Sequence, residues 1–153
     1  STKEAVLVIA LHQEGERKFL MPLVASMNYA VPLWRIPGGG VHEGEELSAA
    51  AVRELQEETG LWVEEPRRVL EPILKTSRVN RNDTHIQYVF AGEVVSLQSF
   101  VERTIDGDEE IVAELFDASH VLEAARKNIR VGQYFIFNVH AKLLERALSK
   151  ILE

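Results

Sequence analysis

The chain has 153 residues, 46% apolar and 27% charged, ordinary proportions for a soluble globular protein, and no apolar run approaches the ~20 residues of a membrane span. It contains no cysteine, which excludes thiolate zinc sites, cysteine nucleophiles and disulfides. With 17 Lys+Arg against 24 Asp+Glu the net charge is −7, so neither duplex nucleic acid nor a membrane surface is expected as a partner, and a polyanionic substrate would need local cations.

The length suits one compact domain over residues 1–153. Ser1 to Glu4 lacks the basic stretch and apolar core of a secretory signal, so a cytoplasmic location is expected. Ala5 to Leu11 is a β-branched apolar run, separated by a polar turn at Gly15 from Phe19 to Val24, and the two read as paired strands. Pro32, Trp34 and Pro37 lead into Gly38-Gly39-Gly40, which reads as a loop because glycine disfavours regular elements. Glu46 to Thr59 reads as a helix stopped by Gly60. Further strands are expected at Val69 to Thr76, Thr84 to Val95 and Ile111 to Phe116, with polar loops at Arg78–Asp83 and Asp106–Glu110. Val121, Leu122 and Ala125 then fit one helix. Phe135, Val139, Leu143 and Leu148 fit a longer one, with Gly132 between them. This order indicates an α/β or α+β sandwich with a mixed sheet.

The chemistry concentrates on the first helix. Glu54, Glu57 and Glu58, three and four residues apart, share a face, where like charges repel by ~0.2–0.5 kcal/mol per pair. Only Arg53 adjoins them. A divalent cation would relieve the repulsion, and an all-oxygen ligand set points to Mg²⁺ with Mn²⁺ able to substitute. Ala51, Val52 and Leu55 occupy the opposite face and should anchor the helix in the core. The glycines before the helix satisfy neither a dinucleotide fingerprint nor a phosphate-binding loop, since Glu43 replaces the third glycine and no Gly-Lys-Ser/Thr follows.

Gly39, five residues, Glu45, seven residues and then Arg53-Glu54-Leu55-Gln56-Glu57-Glu58-Thr59-Gly60-Leu61 resembles the Nudix box at every defined position. Trp34-Arg35-Ile36-Pro37-Gly38 before it also looks like that family. The resemblance implies a Nudix-type α/β/α sandwich and metal-dependent hydrolysis of a diphosphate linkage in a nucleotide-like molecule. It also implies roles: Glu54, Glu57 and Glu58 as metal ligands, and Arg53 orienting a box glutamate. Glu45 either ties the loop to the helix or sits in the outer metal shell. A further carboxylate outside the box is expected from Asp106–Glu110. Glu109 or Glu110 would act as additional ligand or base, Glu110 is carried in the catalytic set, and Asp106 or Asp83 comes next.

Arg35, Gly39 and Gly40 are the expected substrate contacts, Arg35 through phosphate oxygens, with Arg78 and Arg81 weaker candidates. The five histidines lack metal-ligand spacing and read as surface or packing residues. Tyr134, Phe135 and Phe137 read as core. After the box, Thr76-Ser77-Arg78 stands where a proline marks ADP-ribose enzymes or a tyrosine dinucleoside polyphosphate enzymes. The first strand starts almost at Ser1, so an added N-terminal domain is not expected. The reading leans to nucleoside triphosphates or dinucleoside polyphosphates, then nucleotide sugars. A homodimer is allowed. The rival function is a non-catalytic nucleotide-sensing module on the same fold.

Overall fold

The computed structural model describes residues 1–76 and 82–153. Ser77, Arg78 and Arg81 lie outside the described residues. β1 (Thr2–Gln13) and β2 (Phe19–Ser26) are antiparallel, but they pair only at the turn end, His12 with Leu20 and Gln13 with Phe19. Beyond that point they part. Residues 34–40 fill the gap, with Arg35 bridged to Val24 of β2 and the Pro37 carbonyl accepting from the Val8 N–H at 2.8 Å.

Gly38–Gly40 is itself a short strand, β3, antiparallel to β1 through Leu7, Val6 and Ala5, which corrects the expected loop. The reason is close approach. A Cβ on Gly38 would lie 2.0 Å from the Val6 carbonyl oxygen, so only glycine lets this segment dock, and pairing with β1 outweighs its low strand propensity.

α1 (Leu47–Thr59) ends at Gly60, whose φ of 76° closes the last turn through an N–H bond to the Gln56 carbonyl. Then follow β4 (Glu64–Arg68), β5 (Ile73–Thr76), β6 (Thr84–Glu93), β7 (Arg103–Asp106), β8 (Glu109–Asp117), α2 (Ala118–Lys127) and α3 (Asn138–Leu152). The sheet runs β4-β6-β1-β2-β8-β7, with β3 on β1 and β5 on β6. β6 is parallel to β1 and the other strand pairs are antiparallel, so the sheet is mixed as expected.

Alternation along β1 divides the core. Val6, Val8 and Ala10 face α1 through Ala50, Ala51 and Leu55, while Leu7, Ile9 and Leu11 face α2 and α3 through Val121, Leu144 and Leu148. The result is an α/β/α sandwich. Among the described residues no helix is long and apolar enough to cross a membrane.

Three expectations change. The strand expected over Val69 to Thr76 begins only at Ile73, after Pro72, and β4 precedes it. Asp106–Glu110 is a hairpin turn rather than a loop: Asp106 pairs with Glu109 and Gly107 takes a φ of 64°. The aromatic segment before α3 is extended, so burial alternates: Ile136 is buried against Trp34 while Phe135 and Phe137 expose 38% and 42% of their surface. Only Tyr134, half-buried 5.0 Å from the Trp34 ring, belongs with the core.

Candidate active site

The α1 carboxylates do not stand on a solvated face opposite the core. Glu54 and Glu58 are buried beside Ala51 and Leu55, and only Glu57 is exposed. Buried carboxylates need partners, and the gap between β1 and β2 provides them. Glu58 accepts from the Gly38 N–H at 2.8 Å and from both terminal nitrogens of Arg35, at 3.3 and 2.5 Å. A Cβ on Gly39 would lie 2.6 Å from the Glu54 carboxylate. This glycine therefore leaves space for a glutamate of the helix.

Arg53 ties the helix to the loop ahead of it. Its Nε donates to Glu45 at 2.8 Å, one terminal nitrogen donates to Glu54 at 3.0 Å and Glu57 at 3.2 Å, and the other donates to Glu45 and the Gly40 carbonyl at 2.9 Å. Glu45 also accepts from the His42 N–H at 3.0 Å. Glu45 thus ties the loop to the helix.

Arg35 is likewise turned to the carboxylates, a position that sequence spacing could not reveal because its partner lies 23 residues away. Gly40 gives its carbonyl to Arg53 and has open space where a Cβ would stand.

Glu110 is not brought to this cluster. It pairs with Arg103 at the exposed edge, because alternation along β8 turns it to the face opposite buried Ile111 and Ala113. Glu109 is on the same face as those two residues and lines a cavity with Arg35. Asp106, in register with Glu109, is close enough for its charge to bear on Glu58. Asp83 accepts from the Ser1 hydroxyl. His140 is a packing residue: its Nδ1 accepts from the Ile36 N–H at 2.9 Å, and burial pushes its pKa down to about 4.

The electrostatics follow from these positions. Burial pushes the Glu54 and Glu58 carboxyls above the ordinary range, against the pull of Arg53 and Arg35 respectively. Glu45, hydrogen-bonded first to Arg53 and then to the His42 amide, falls from 4.5 to about 2. A depressed pKa means that the charged form favours folding, so the Glu45 contribution is complete above the ordinary carboxylate value and disappears as pH falls toward 2. The midpoint difference between wild type and Glu45→Gln in thermal melts is therefore expected to be constant near neutrality and to shrink with acid. A difference independent of pH would show that Glu45 is not held as a charged strap.

A family model of the NUDIX domain matches residues 1–135. The chain belongs to the Nudix hydrolase family. A mouse relative, diphosphoinositol polyphosphate phosphohydrolase 3-alpha, is 31% identical over 133 residues, 86% of this chain and 71% of that one. An RNA pyrophosphohydrolase of Dinoroseobacter shibae is 53% identical over 34 residues, a stretch covering 22% of this chain and only 21% of that protein. Among solved structures, the NUDIX domain of Shewanella oneidensis NrtR in complex with ADP ribose superposes with a TM-score of 0.69 at 17% identity, over 99% of this chain and 89% of that one, a likeness of fold.

Nudix hydrolases generally use divalent metal ions, and the donor set here fits one. Glu45, Glu54, Glu57 and Glu58 face two guanidiniums, Arg53 and Arg35, which leaves an excess of two negative charges. Among the described residues no three acidic or histidine side chains converge as a ready cage. Mg²⁺ does not need one, since it is held by one or two carboxylates with waters and substrate phosphates completing its shell.

Proposed function

We propose that this protein hydrolyses a diphosphate linkage in a nucleoside diphosphate derivative, with Mg²⁺, or Mn²⁺ in its place, held at Glu54, Glu57 and Glu58. The observation that carries the reading is the uncompensated double negative charge on the rim of α1, partly buried where unpaired charge is costly. When bound, the metal would screen phosphate charge and lower the pKa of an attacking water.

The protein's own residues do the positioning. Arg53 fixes Glu54 and Glu57 relative to Glu45, and Arg35 with the Gly38 amide fixes Glu58, so the carboxylates are set before substrate arrives. A carboxylate of the β7–β8 hairpin other than Glu110, with Asp106, whose charge bears on Glu58, as the candidate, would accept the proton of the water as it attacks phosphorus and the bridging P–O bond breaks. The leaving half departs as a phosphate ester. Nucleoside triphosphates and dinucleoside polyphosphates are the favoured substrates, followed by nucleotide sugars.

The test is a panel of these compounds with Mg²⁺, in which both products are identified by mass. Cleavage between phosphorus atoms, giving a nucleoside monophosphate or diphosphate and its phosphorylated partner, is expected. Nucleotide binding without turnover of any compound would instead assign the non-catalytic sensing role.

A further inference from the structure

Next to the carboxylates lies a cavity of about 420 Å³, lined by Tyr29, Val31, Leu33, Arg35, Glu109 and Phe137, large enough for a nucleoside. Its mouth gathers three large exposed apolar side chains: Val31 at 74%, Tyr29 at 67% and Phe137 at 42%. Large apolar groups clustered beside a polar site mark a place where a ligand completes the burial. Arg35 belongs to both places, since its guanidinium lies on Glu58 and the residue also lines the cavity. A substrate whose phosphates reach the α1 carboxylates thus has its other end here.

Glu109 selects what that end can be. Among the described residues its carboxylate has no hydrogen bond or ion pair, and Arg35 is committed to Glu58. A free carboxylate can only accept. It repels phosphorylated rings, so a polyphosphorylated sugar or inositol is disfavoured. Planar apolar and aromatic walls suit a nucleobase. Among the bases, guanine alone offers two adjacent donors, N1–H and the N2 amino group, to a carboxylate. Adenine and cytosine place a ring acceptor beside their amino group, and uracil flanks its N–H with two carbonyls.

We propose that this cavity is a guanine pocket, in which Glu109 accepts from N1–H and N2–H while Phe137 and Tyr29 cover the ring, so that the substrate is a guanosine nucleotide. The proposal rests on the hydrolase reading for its catalytic readout but not for binding. Charge-assisted pairs of this kind discriminate by at least about tenfold.

The experiment has two arms. With Mg²⁺, kcat/KM is compared for GTP, ITP and ATP, which share one phosphate chain. In chelator, binding of GMP and AMP is measured by calorimetry. GTP is expected to exceed ATP by about tenfold or more, with ITP, which lacks the N2 amino group, in between. GMP should bind more tightly than AMP in the same order. In Glu109→Ala the guanine-to-adenine ratio should collapse toward one in both arms, and Phe137→Ala should weaken both purines together.

A Glu109→Ala variant that loses all nucleotides equally would place Glu109 on the ribose or in the scaffold and overturn the proposal. So would a wild-type protein that turns over every triphosphate at the same rate, an outcome that leaves the hydrolase reading intact. Selective GMP binding without any turnover would do the reverse.

Discussion

Glu57→Gln is expected to lower kcat by at least about 10²-fold while leaving the unfolding midpoint in metal-free buffer almost unmoved, because on the proposed reading it removes an anionic ligand of the metal that acts on developing charge. Glu57 is the cleanest probe of the three. Its side chain is 45% exposed and its ion pair is to Arg53 at 3.2 Å, and surface pairs of that kind contribute only ~0.2–1 kcal/mol. Arg53 keeps Glu45 and Glu54 when Glu57 is neutralised, so the strap survives. Glu58→Gln is ambiguous by comparison. It breaks a pair in which the carboxylate is 3% exposed, and removing one partner of a buried pair costs ~3–5 kcal/mol, so lost activity would mix with lost stability. If Glu57→Gln keeps its rate and its Mg²⁺ affinity, the metal is not on this face of the helix.

The contrast between these two glutamates also marks where sequence reading stopped. Spacing of three and four residues placed Glu54, Glu57 and Glu58 together on α1, and Gly60 ended the helix where its positive φ is needed. The β-branched apolar run Ala5–Leu11 foretold a strand, and the structure buries it on both faces. Spacing within one helix cannot say that two of the carboxylates are buried, since that depends on Gly38 and Arg35, which arrive from another segment through the parting of β1 and β2. The same limit hid β3. Three glycines argue against a strand until the Val6 carbonyl is known to lie where a Cβ would be.

Edge strands were lost for a different reason. Glu64-Glu65-Pro66-Arg67-Arg68 has no apolar period, and at the rim of a sheet charges and proline are tolerated because one side of the backbone needs no partner. β7 at the other rim escaped in the same way, and with it the hairpin register that sends Glu110 to Arg103 and Glu109 to the cavity. A one-residue shift along a strand reverses the face, which is why Glu109 and Glu110 could not be told apart before the pairing of Asp106 with Glu109 was known.

Stripping divalent ions with a chelator is expected to abolish turnover without unfolding the protein. The fold should survive because Arg53 and Arg35 already neutralise half of the carboxylate charge and because Ala50, Ala51 and Leu55, each fully buried, anchor α1 independently of any ligand. The two excess negative charges should nevertheless cost stability, and a cation that binds only the folded state recovers it. At 100 times its dissociation constant, Mg²⁺ would add ~2.7 kcal/mol. For a protein of this size that is a rise of roughly 5–10 °C in the unfolding midpoint. At one fixed Mg²⁺ concentration the increment should be smaller in Glu57→Gln, which has one charge fewer to offset and so a larger dissociation constant, and this links the thermal readout to the same carboxylates as the kinetic one. Full turnover in chelator would remove the metal from the reaction, and an equal thermal increment in wild type and Glu57→Gln would move it to other ligands.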